Sequence, residues 1–396
     1  MKNLVAPLRL RSSLGDHAGR VTWLELFFDL IFVAAVAQVA EPLREHYSVG
    51  EVLRLIPLFV LIWWAWTGHA LFSTRFDGDD VAQRVLTLLQ MFAVAAMAAN
   101  AKEALDSRAS AGFAAAYAAV RLVLVGQYFR ARRVPGAGPL ATRYLVGHGI
   151  AAVVWLISSL LPPPGRFWLW AGAFVIDLST PWFALRHSVR VPPDASHLPE
   201  RFGLFVLILL GDSVVAVMQG MESQEEWAPG AAASAFLGMS ILFVLWWWYF
   251  EGVGGASAQP VRTRSDATRF HLWSYAHLPL CLGVIVAGVG LRRIVTVASR
   301  AQLDSVEALI LTSALAAAMV AMTVVGGTAV GRTRRAGWIA HLSLAAVTVA
   351  VGLRVTSPVP LIVALAALSV LQLTASLVPA HRFRPWPASR LAEVTR

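Results

Sequence analysis

The stretch Val21 to Ala40, VTWLELFFDLIFVAAVAQVA, has the length and apolarity at which an α-helix crosses the hydrocarbon core of a bilayer. It is the first of twelve such stretches, about 21–40, 52–73, 84–101, 112–130, 144–161, 167–186, 202–221, 230–251, 270–291, 307–330, 337–354 and 359–379. In lipid every backbone N–H and C=O must be paired inside the protein, so runs like these build helices or a closed barrel. They are continuous rather than alternating in and out, which selects helices. Composition agrees: 14% of the chain is charged, against about 25% in soluble domains. The expected fold is an all-α polytopic membrane protein, with the lipid bilayer as its partner.

The distribution of basic residues predicts an orientation. With a cytoplasmic N-terminus, the two termini and the even-numbered loops hold 23 of the 33 Lys and Arg residues, and the odd-numbered loops hold nine. The positive-inside rule then places both termini in the cytoplasm, in a cell (inner) membrane. Basic loops against anionic headgroups account for the net charge of +10 without nucleic acid. The single cysteine, Cys281, excludes an intrachain disulfide and a cysteine-based metal cluster. Glu25 and Asp29 inside the first apolar run argue against a secretory signal peptide.

The chain repeats itself. FVLIWWAW at 59–66 returns as FVLWWWYF at 243–250, with five of eight positions identical. Asp29 precedes the first copy by nearly the distance at which Asp212 precedes the second, and TRFDGDDVAQR (74–84) has a counterpart in TRSDATR (263–269). The expected organisation is a basic segment 1–20, a six-helix repeat 21–186, a linker 187–199, a second six-helix repeat 200–380 and a tail 381–396. Because six is even, both repeats enter the membrane in the same sense, which predicts Asp29 and Asp212 at similar depth, facing each other.

Four blocks, RVTWLELFFDLIFV (20–33), TRFDGDD (74–80) leading into LLQM (88–91), ERFGLFVLILLGDSVVAV (200–217) and SYAHLPL (274–280), together resemble the bacterial low temperature requirement protein A family. The likeness runs from the first apolar stretch to at least the ninth. The family often has Glu where this chain has Asp212. The resemblance implies a membrane protein of this class; the family is named for a cold-growth phenotype, and no defined biochemical activity comes with it.

The candidate functional residues are the charges at membrane depth. Asp29, Asp177 and Asp212 lie well inside their stretches, with Arg121 in the fourth and Glu25 a turn nearer the cytoplasm. Four carboxylates facing one buried guanidinium cannot all be ionised cheaply, so the acids are proton-carrying candidates; the plainer reading is that Arg121 pairs with Asp29 or Asp177 and locks helices. For Glu25, Arg20 or water is the expected partner. Trp63, Trp64, Trp247 and Trp248, in the duplicated motif, and His277 are candidates to line a cavity, against a role in packing. His69, His148, His271 and His341 are further relay candidates, each more often a packing residue. No spacing indicates a metal or a cofactor. Three functions follow as expectations: a proton- or cation-coupled transporter, or a channel, for a small solute; an intramembrane enzyme with an Asp general acid acting on a lipophilic, isoprenoid-like substrate; or a sensor or scaffold. Oligomeric state is not readable from the chain.

Overall fold

A computed structural model describes residues 4, 6–11, 21–106, 109–194, 197–224, 228–253, 261–298, 302–329 and 335–380, with backbone alone at 335–336 and 378–380. Arg20 and the tail 381–396 lie outside the described residues, as does most of segment 1–20. A long helix occupies each of the twelve predicted stretches. The first group is α1 (Trp23–Glu45), α2 (Val49–Ser73), α3 (Val81–Ala99), α4 (Ser110–Ala131), α5 (Gly138–Leu160) and α6 (Gly165–Phe183). After the one-turn α7 (Leu185–Ser188) come α8 (His197–Glu222), α9 (Pro229–Trp247), α10 (Arg264–Thr296), α11 (Ser305–Ala329), α12 (Arg335–Gly352) and α13 (Pro358–Ala380). Trp248–Gly252 extends α9 as a π-helical turn.

Ten of these helices are long and apolar enough to cross a membrane. The two that fall short are α6, whose Arg166, Asp177, Ser179 and Thr180 dilute its apolar run, and α12, where the described apolar part is Gly337–Gly352. The protein is therefore an all-helical polytopic membrane protein. Its one strand pairing among the described residues is minimal: β1 (Arg9–Leu10) lies antiparallel to β2 (Phe76–Asp77), in the register Arg9 to Asp77.

Local chemistry sets the helix starts. Thr22 and Glu25 form a reciprocal capping box on α1, Ser48 accepts from the Glu51 amide to open α2, Asp80 caps α3, and Thr263 with Asp266 boxes α10. The turn joining α4 to α5 passes through Gly136 at φ +78°, where an L side chain would be strained. Small residues then set the packing. A Cβ on Gly288 of α10 would come within 2.5 Å of Ser213 Oγ on α8, and one on Gly283 within 2.7 Å of the Ala314 carbonyl on α11. Those two glycines let α10 sit between α8 and α11 at backbone distance.

Three contacts fix how α1 meets α8. Glu25 lies against His197, Asp29 against Arg201 and Arg44 against Asp212, so the two helices run in the same direction side by side. Reading along them also fixes depth. Fifteen residues separate Asp29 from Arg44, roughly 22 Å at about 1.5 Å per residue, and eleven separate Arg201 from Asp212, roughly 16 Å. Asp29 and Asp212 therefore do not face each other: they sit near opposite ends of the α1–α8 contact.

Candidate functional site

A fully buried charge pair joins α1 to α8. The Asp29 carboxylate and the Arg201 guanidinium are both fully buried. Arg201 Nη2 donates to Asp29 Oδ1, and Nε donates to Oδ2 at 3.3 Å, a two-pronged fork. The remaining valences are taken up locally: Trp66 Nε1 donates to Asp29 Oδ1 at 2.7 Å, and Arg201 Nη1 donates to Ser73 Oγ at 2.6 Å, both from α2. Aromatic faces close the site. The guanidinium carbon lies 6.0 Å from the Phe28 ring and 5.9 Å from that of Trp66, whose indole packs on Phe205 and Phe202.

Glu25, one turn before Asp29, has a structural assignment. Its Oε2 accepts from the Thr22 amide at 2.8 Å and from the Thr22 hydroxyl at 2.9 Å, closing the cap of α1. His197 Nε2 lies 3.3 Å from the same oxygen and Arg11 Nη2 3.5 Å from Oε1. Arg11, on the short arm before α1, stands where Arg20 was expected.

A second buried centre lies on the other side of α2. Arg121 of α4 places Nε 2.7 Å from Asp177 Oδ2 on α6, and His148 Nδ1 of α5 lies 2.9 Å from Asp177 Oδ1. Arg121 Nη2 donates to Tyr117 Oη at 2.6 Å, and its Nη1 would lie 2.9 Å from a Cβ on Gly68 of α2. Between the two centres, on α2, His69 stacks on Phe28 with ring centroids 3.8 Å apart and bonds Gln90 of α3 through Nδ1 at 2.8 Å. Residues 66 to 73 of α2 thus form a polar spine, with Asp29 and Arg201 on one flank and Arg121, Asp177 and His148 on the other.

The expected meeting of Asp29, Asp177, Asp212 and Glu25 around Arg121 is corrected at three of the four acids. Asp177 alone pairs with Arg121, the helix-locking arrangement. Asp29 takes Arg201, Glu25 takes Arg11 and His197, and Asp212 takes Arg44 at 2.5 Å, a pair retaining 24% and 11% side-chain exposure. Spreading the acids over separate cations is cheaper than crowding them around one, because each buried carboxylate then has a counter-charge of its own.

The aromatic candidates are packed. Trp63, Trp64 and Trp248 are buried in one continuous core, and Trp247 is partly buried against Phe243. Trp64 touches Phe174 and Tyr275, and Trp248 stacks on His341. His277 is satisfied at both nitrogens. Nδ1 lies 2.8 Å from the Trp273 carbonyl, which can only accept, so Nδ1 carries the hydrogen and Nε2 accepts from Tyr249 Oη at 2.9 Å. It links α10 to the π-helical turn. No group of three His, Cys, Asp or Glu residues among those described is arranged to hold a metal ion.

The family model of the bacterial low temperature requirement A protein matches residues 20–375, which reach from the start of α1 into α13. The chain belongs to the LtrA family. This LtrA protein is also similar to the uncharacterized protein RA0937 of Rhizobium meliloti (strain 1021), at 28% identity over 286 residues, 68% of each chain. No solved structure matches it. The family match covers Asp29 and Trp66 and also Arg201, Asp177 and Arg121, so the whole buried network falls within it.

Proposed function

We propose that this LtrA protein is a secondary transporter in the cell membrane that couples movement of a small solute to protonation of Asp29. The observation that carries the reading is the fully buried Asp29–Arg201 fork between α1 and α8. In this reading the chain forms two six-helix halves entering the membrane in the same sense, with both termini cytoplasmic. The parallel run of α1 and α8 supports that layout, since they are the leading helices of the two halves.

The chemistry follows from the bonds. While Asp29 is ionised it accepts from Arg201 and Trp66 and holds α8 to α1. A proton on Asp29 removes the charge that pays for burying Arg201 and turns an acceptor into a donor. Arg201 then favours any route to water, a solute or Ser73, and the contact between the halves loosens. Returning the guanidinium expels the proton. Solute passage is thus tied to the occupancy of one carboxyl.

The test uses purified protein in liposomes loaded with a pH dye, challenged with small solutes one at a time. A solute gradient should drive an internal pH change that Asp29→Asn abolishes and Asp212→Asn preserves. Equal pH responses in Asp29→Asn and wild type would refute the role given to Asp29, and a pH change needing no solute would make the protein a channel.

A further inference from the structure

We propose that the buried polar junction where the end of α2 meets α4, α5 and α10 is a binding site for a phosphate-class oxyanion, presented by an anionic lipid headgroup. It is separate from the Asp29–Arg201 fork and does not depend on transport. Its centre is Arg75, two residues beyond the end of α2 and 1% exposed. Nε of Arg75 donates to the Val191 carbonyl and Nη1 to the Leu71 carbonyl, each at 3.2 Å, and the guanidinium lies 5.5 Å from the Tyr144 ring centroid. Among the described residues Arg75 forms no ion pair, in contrast to Arg121 and Arg201, which each have a carboxylate. Carbonyl dipoles and an aromatic face hold the cation in place, and its hydrogen bonds go to carbonyls rather than to a carboxylate.

The neighbours supply hydroxyl donors. Tyr128 and Tyr144 are buried and stacked at 4.9 Å, and neither hydroxyl makes a hydrogen bond. Tyr275 of α10, whose hydroxyl is likewise buried and unbonded, lies in electrostatic reach of Tyr144, as His271 does of Arg75. The Arg75 guanidinium stands beside Tyr128 and the Trp182 indole beside Tyr275, outside hydrogen-bond geometry. A guanidinium beside the phenolic O–H groups of Tyr128 and Tyr144 suits the several oxygens of a phosphate.

Location argues for a headgroup. Arg75 follows the last turn of α2, and Tyr144 is six residues into α5 and His271 seven into α10, roughly 9–10 Å from the helix starts, with Tyr275 one turn further in, which places Arg75 and Tyr144 toward the membrane edge. The neighbouring surface is apolar and open, with Trp182 47%, Leu272 52% and Phe183 74% exposed, which suits acyl chains beside a held headgroup.

The experiment is native mass spectrometry of the full chain in neutral detergent, with phosphatidylglycerol, diacylglycerol or inorganic phosphate as probes. Phosphatidylglycerol should be retained and diacylglycerol lost. Tyr144→Phe, which keeps the ring and removes the hydroxyl, should weaken retention about tenfold, and Arg75→Gln should remove it. If Arg75→Gln does not fold, Tyr144→Phe and Tyr275→Phe carry the test. Inorganic phosphate bound in place of the lipid, with the same sensitivity to Tyr144→Phe, would keep the site and make its ligand a free anion. Wild type retaining neither probe, or variants retaining phosphatidylglycerol as wild type does, would overturn the proposal.

Discussion

Replacing Arg201 with Gln should be among the most damaging single changes available in this chain. It leaves the Asp29 carboxylate fully buried with the Trp66 N–H as its remaining donor, in a site closed by Phe28, Phe202 and Phe205. Stranding one member of a buried pair costs about 3–5 kcal/mol. The double variant Asp29→Asn with Arg201→Gln removes both charges and keeps polar groups that can bond, so much of the loss should return. The coupling between the two sites should be at least about 2 kcal/mol. Cys281, the single cysteine and 1% exposed, is a built-in reporter: its reaction with a thiol dye during detergent-driven unfolding follows the equilibrium without added labels. A loss under about 1 kcal/mol for Arg201→Gln, or two single effects that simply add, would show that the fork does not hold the helices.

Further outcomes follow from the same contacts. Asp212→Asn should cost only about 1 kcal/mol in the same unfolding measurement, because its pair with Arg44 is partly solvated. Gly68→Ala should destabilise by about 1–3 kcal/mol, since its Cβ would press on Arg121 Nη1 at 2.9 Å and Leu124 at 3.2 Å. Gly172→Ala, with nothing within 4 Å, should instead stabilise by about 0.5–1 kcal/mol. The arm at residues 6–11 should be acid-sensitive. Burial opposes ionisation of Asp80, but the amides of Ala6 and Gln83 and the Arg130 guanidinium outweigh it and hold this carboxyl below its usual range. A depressed folded pKa contributes fully above the unfolded value of about 3.9 and is lost as pH falls through the lower folded value. Protection of the Ala6 and Ala82 amides from hydrogen exchange should therefore persist down to about pH 5, fall on stronger acidification, and be low throughout in Asp80→Asn.

The helices were legible because lipid imposes one rule on every residue of a span. Their ends were not. Hydropathy places the end of the first run near residue 40 and the start of the seventh near 202, whereas α1 continues to Glu45 and α8 begins at His197. Those extra turns carry Arg44 and Arg201, the partners of Asp212 and Asp29, which on the sequence look like loop charges. Inside a protein a helix can keep a charged turn wherever a neighbouring helix offers the opposite charge, and that pairing spans 172 residues of chain for Asp29 and Arg201. The one signal at hand was the ERFGLF block, whose Arg is Arg201. The Arg121–Asp177 pair was foreseeable because both charges fall within their apolar runs. Unequal depths at Asp29 and Asp212 were hidden for the same reason as the partners: α8 starts earlier than its apolar run, so counting from the run misplaces both acids relative to each other.

Infrared difference spectroscopy on the reconstituted protein during solute-driven turnover reads the protonation of Asp29 itself. The account predicts a protonated carboxyl band that forms with turnover, is missing in Asp29→Asn and persists in Asp212→Asn. A spectrum unchanged by Asp29→Asn would mean that this acid stays ionised in its pair with Arg201 throughout, and that the pair is a fixed strut rather than the proton-carrying element.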